Sequence, residues 1–139
     1  RIWNTMLKLS LEELHAAIEY LYEALEILGS VLKEIENGSI RGLRTSERLA
    51  EAWYKVNCCR LHTEPDLNLE ELNLDAMGLI NDAKCMMDSL MSWRKGMTLH
   101  GMINITGNIR AASDNLRLVL CDLEDWLNSL AVGVQDELR

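Results

Sequence analysis

Residues 11–38, "LEELHAAIEYLYEALEILGSVLKEIENG", decide the fold. Leu11, Leu14, Ile18, Leu21, Leu25, Leu28, Leu32 and Ile35 follow one another at steps of three and four. Such steps return to one side of a 3.6-residue turn, whereas a half-buried strand needs every second residue apolar. The stretch therefore predicts an amphipathic helix packed along others of its kind. Ser10 with Glu13 makes a capping box at its start, and Asn37-Gly38 supplies a left-handed stop, which sets the helix at 11–36. Upstream, Leu7 continues the seam into a short lead of residues 1–10 that carries Ile2, Trp3, Met6 and Leu9.

The same reasoning extends outward along the chain. "NGSIRGLRTS", residues 37–46, is polar and punctuated by glycine, and Thr45 or Ser46 is expected to cap a shorter helix over 46–62 with Leu49, Ala52, Trp53, Val56 and Cys59 inward. "TEPD", residues 63–66, holds the single proline and turns the chain. Asn68 and Glu71 repeat the capping pattern ahead of a third helix over 69–95, whose seam is Leu69, Leu72, Ala76, Leu79, Ala83, Met86, Leu90 and Trp93, with Gly96 as the stop. A fourth helix over 98–130 follows Met102, Ile105, Ile109, Ala112, Leu116, Val119, Leu123, Trp126 and Leu130, and residues 131–139 read as a fraying tail. Short connections join only antiparallel neighbours, so the expected fold is all-α, one domain over 1–139, an up-down-up-down four-helix bundle with a short second helix.

Composition agrees with that architecture and narrows function. Phenylalanine is absent and 48% of the 139 residues are hydrophobic, enough for one core without staples. A net charge of −8 disfavours a nucleic-acid partner, and no apolar run approaches the ~18 residues of a membrane span, so neither nucleic acid nor a membrane is expected to be bound. The basic-leaning stretch Arg41, Arg44, Arg48, Lys55 and Arg60 is interrupted by Glu47 and Glu51, as on a solvated face. The chain opens on Arg1 and is expected to be a piece or processed product of a larger polypeptide.

Helical wheels single out two helices as broader in apolar girth than a bundle interior asks for. On the fourth helix the apolar arc is about 120°, which packing in the bundle satisfies. On the third it is near 200° by the same geometry, because Met77, Ile80, Met87 and Met91 lie beside the main seam. On the first, Tyr20, Ala24, Ile27 and Val31 make a second heptad row. Methionine adapts to irregular surfaces and is over-used where a partner helix must be accepted. The expected partner surface is therefore Met77, Ile80, Met87 and Met91 with Tyr20, Ile27 and Val31, covered by another protein or by a second copy in a homodimer.

Catalytic and metal chemistry find little support. Cys58 and His62 are four apart on one face and could give two ligands, but Cys85 and Cys121 do not aim at them, and the Cys spacing is not that of a secreted disulfide framework. Glu12 and His15 lie outside the seam, so the inward Glu-x-x-His pairs of a di-metal bundle are missing. His100 has no nucleophile or base at recognisable spacing. Two glycosylation sequons, at Asn37 and Asn104, would matter in a secreted cytokine-like bundle, which needs long crossover connections. "LNLEELNL", residues 67–74, has export-signal spacing that also opens a helix seam. The sequence thus points to a non-enzymatic, intracellular interaction or oligomerisation module without cofactor or metal; its rivals are a bundle that holds a metal or small ligand and the cytokine-like one.

Overall fold

The computed structural model describes residues 11–38, 43–59, 68–92 and 99–137. They form α1 (Leu11–Glu36), α2 (Leu43–Cys58), α3 (Asn68–Ser92) and α4 (Leu99–Glu137). α1 has the bounds its seam predicts, and Gly38 takes the expected left-handed φ of 66° while its amide donates to the carbonyl of Ile35 at 3.2 Å. α2 begins before Thr45 and Ser46, so neither caps it. α4 continues to Glu137, well past the expected end at 130. The lead 1–10, His62, the turn around Pro65 and Gly96 lie outside the described residues.

Side-chain bonds give the direction of each neighbour. Thr45 donates to Glu34 (3.0 Å) near the start of α2, and Lys55 meets Glu23 (2.9 Å) near its end, so α2 runs back along α1. Ser46 bonds Asp88 and Asn73 bonds the Val56 carbonyl, so α3 runs back along α2. Arg110 meets Glu36 (3.3 Å) and Tyr22 donates to Glu124 (3.0 Å), so α4 lies antiparallel to α1. With α3 also packed on α4, the four helices close an up-down-up-down bundle.

The core is built from two heptad rows per long helix, and on α1 and α3 it is turned from the expected seam. On α1 the buried rows are Leu14, Leu21, Leu28, Ile35 and Ala17, Ala24, Val31; Ile18, Leu25 and Leu32 are only partly buried, and Leu11 is exposed. On α3 the buried rows are Leu69, Ala76, Ala83 and Asn73, Ile80, Met87, with Leu72, Leu79 and Met86 at the rim. In both helices the inner arc contains alanine, which lets a neighbouring backbone come close. The Cys59 thiol accordingly reaches the Ala17 carbonyl at 3.4 Å. α2 and α4 bury the positions expected of them, save that Trp53, Met102 and Leu130 are partly buried.

Buried polar groups are mostly partnered, as desolvation demands. Ser113 returns its hydroxyl to the Ile109 carbonyl at 2.9 Å. Thr45 and Ser46 are buried in the first turn of α2, where Glu34 of α1 accepts from Thr45 and Arg48, and Asp88 of α3 accepts from Ser46 and Lys84. This belt ties three helices together at one end of the bundle. Asn73, in the heptad row of Ile80 and Met87, gives its amide to Val56 at 3.3 Å and leaves its carbonyl oxygen unpartnered.

Candidate functional site

Four of the seven residues of the expected partner surface lie inside the bundle. Ile80, Met87 and Val31 are fully buried within the single chain and Met77 is 8% exposed, so these four are core residues. Tyr20 and Ile27 are partly buried against that core, and the side chain of Met91 lies outside the described residues. The correction has a geometric cause. α3 is flanked by α2 on one side and α4 on the other, and a helix wedged between two neighbours buries a wider arc than the single stripe between a pair. The surplus girth is absorbed by the bundle.

Exposed apolar side chains lie elsewhere, and the first turns of α4 carry the most prominent. Leu99 is 72% exposed and Ile103 59%, and both point away from the stripe of Ile105, Ile109 and Ala112 that meets the core. One and two turns further on, Gly107 and Ala111 are exposed as well, so Leu99, Ile103, Gly107 and Ala111 form an uninterrupted i, i+4 ridge. A methyl group added at Gly107 would meet nothing within 4 Å. The ridge lies in the long run from Asp88 to Asp114 that contains no Asp or Glu between those two residues, although the chain carries 22 of them. Its flanking charge is Arg110, paired to Glu36.

Sequence reasoning passed over this ridge because the fourth helix has the narrowest core stripe. The signal was present: at ~100° per residue Leu99 and Ile103 fall more than a quarter-turn off that stripe. Leu118, also on α4, is exposed to 57%, and Leu11, Tyr22, Tyr54 and Leu74 are exposed singly on the other helices. Isolated apolar residues are ordinary on a protein surface, whereas Leu99 and Ile103 stand one turn apart on the same side of one helix.

The remaining polar features are local. Between α1 and α2 a cleft of about 230 Å³ is lined by Ala16, Glu19, Tyr20, Glu23 and Lys55. Lys55 sits 5.7 Å from the Tyr20 ring centroid and pairs with Glu23, whose hydrogen bond raises the lysine above its ordinary pKa. The Tyr22 hydroxyl is likewise raised, first by its bond to Glu124. Of these pairs only Lys55 with Glu23 lies in the cleft wall, and Tyr22 with Glu124 joins α1 to α4.

The cysteines are spread over the bundle. Cys59 is buried, and desolvation of its thiolate pushes its pKa up to about 12, which makes it an inert core thiol. Cys58, Cys85 and Cys121 are exposed on three different helices. Among the described residues no three His, Cys, Asp or Glu side chains are grouped to hold a metal ion, and His62, the expected companion of Cys58, lies outside them. No described helix is long and apolar enough to cross a membrane. Comparison with models of known families, with curated proteins and with solved structures finds no match for this chain.

Proposed function

We propose that the chain is a non-enzymatic helical bundle that works by binding protein, with the outer ridge of α4 as its apolar anchor in place of the rows on α1 and α3. The observation that carries this reading is the continuous exposure of Leu99, Ile103, Gly107 and Ala111 on a stretch without carboxylates. Apolar side chains left in water on a well-formed helix cost free energy that a partner surface recovers. A helix face presented at i, i+4 spacing suits docking against another helix. Acidic residues elsewhere on the surface discourage contacts at other faces. Four unpaired thiols suit a reducing, intracellular compartment.

The test compares the wild type with Ile103→Glu as bait. A stoichiometric partner, a second copy included, that is retained by the wild type and lost by a variant of unchanged thermal midpoint supports the reading. A wild type that retains nothing and stays monomeric overturns it. Elemental analysis of the purified protein addresses the rival class, since a stoichiometric metal would move the function from interaction to ligand binding.

A further inference from the structure

The ridge on α4 has an asymmetry that bears on what covers it. Its first two residues, Leu99 and Ile103, are large and its last two, Gly107 and Ala111, are small, all four being exposed. We propose that this ridge pairs with the same ridge of a second copy, antiparallel about a two-fold axis between Ile103 and Gly107, so that Ile103 of each copy lies over Gly107 of the other and Leu99 over Ala111. The inference rests on the interaction reading above and names its partner. A two-fold contact must be self-complementary, and a large-large-small-small ridge meets that demand only when two copies run in opposite directions. Run parallel, the ridges would set large on large and leave a gap between the small residues.

Charge permits the contact here and opposes it elsewhere. A chain of net charge −8 repels its own copies wherever carboxylates face one another. Between Asp88 and Asp114 there are none, and Glu36, the α1 carboxylate beside this region, is taken up by Arg110 at 3.3 Å. Asp114 stands nine residues from the proposed axis, roughly 13 Å along the helix. That exceeds the ~8 Å over which exposed charges act at physiological ionic strength. Glycine at the crossing also lets the two helix axes approach closely, and a side chain there would meet no neighbour in the monomer, as at Gly29 and Gly78.

The contact is small. Thirteen residues of one helix face fall short of the about 800 Å² per partner of a standard interface, so a dissociation constant on the order of 100 µM is expected. Sedimentation equilibrium of the full chain over a concentration series reads it directly. The wild type should show a monomer–dimer equilibrium, and Ile103→Glu should remain monomeric. Gly107→Leu should weaken association at least tenfold while its thermal midpoint stays at or above that of the wild type, because the new side chain has free space in the monomer. A wild type that is monomeric up to ~1 mM overturns the pairing. So does a dimer that both variants leave intact, or one that Ile103→Glu breaks and Gly107→Leu does not. Capture of a foreign partner that Ile103→Glu abolishes, from a wild type that never self-associates, would sink the pairing and keep the interaction reading.

Discussion

The methionine row of α3 and the outer ridge of α4 are both apolar, both helical in spacing, and have opposite fates. Met77, Ile80 and Met87 are enclosed by the bundle, while Leu99 and Ile103 stand in water. The apolar content of a helix face does not by itself say whether that face is covered. α3 has α2 on one side and α4 on the other and spends nearly all its apolar width between them, whereas the ridge of α4 turns away from both of that helix's neighbours. Every helix of the bundle has two neighbours, so the fate of an apolar residue depends on whether it turns toward them or away from both.

The sharpest break in this comparison would come from placing a charge in each region. Met87→Lys puts an ammonium among Ile80, Ala83 and their neighbours and should cost about 4 kcal/mol or more, a large part of the stability of an ordinary domain. Ile103→Lys should change the urea midpoint of the monomer by no more than about 0.5 kcal/mol equivalent. If both variants denature alike, the two regions do not differ as described. Truncation gives the next largest contrast. Ile80→Ala opens a cavity in a fully buried site and should cost roughly 3 kcal/mol, against about 0.5 kcal/mol or less for Leu99→Ala.

A smaller effect with the opposite sign is expected at Gly107. It is exposed in mid-helix with no neighbour within 4 Å of an added Cβ. Gly107→Ala should therefore raise the stability of the monomer by about 0.5–1 kcal/mol, through the lost backbone freedom of glycine in the unfolded chain. A lower urea midpoint for this variant would mean that the ridge is more confined than its exposure indicates.

These contrasts also show what the sequence could and could not carry. The α1 seam set its helix to the residue, because steps of three and four have no other regular solution and Gly38 needs its positive φ. Which edge of the α1 and α3 arcs sits innermost was not legible: the expected apolar rows include Ala76, Ala83 and Ala24 but not Ala17, and the larger Ile18, Leu72 and Leu79 beside them form the rim. The roles of Thr45 and Ser46 were hidden for a related reason. In sequence they are ordinary helix caps, and only tertiary packing turns their hydroxyls toward Glu34 and Asp88. The α4 ridge was readable from the wheel, but it was masked by a rule that treated the narrow stripe of that helix as sufficient.

Acid titration sharpens the comparison from the edge of the buried row. Asp88 follows Met87 on α3 and seals its rim by accepting from Lys84 at 2.8 Å and from Ser46, while the ridge on α4 has no such carboxylate rim. The hydrogen bond from Lys84, with that from Ser46, holds Asp88 below its ordinary value of 3.8. A depressed folded pKa binds protons less readily than the unfolded chain, so the stabilisation is complete above about pH 4 and is lost as pH falls from there through the folded value. The side chains of Lys84 and Asp88 are 33% and 40% exposed, and solvent screening limits the whole contribution to about 1 kcal/mol or less. Urea midpoints measured from pH 6 to pH 2.5 should fall less steeply below pH 4 in Asp88→Asn than in the wild type, and Ile103→Gln should follow the wild-type slope. Equal slopes in all three would detach the rim from the methionine row and leave Met87 held by packing alone.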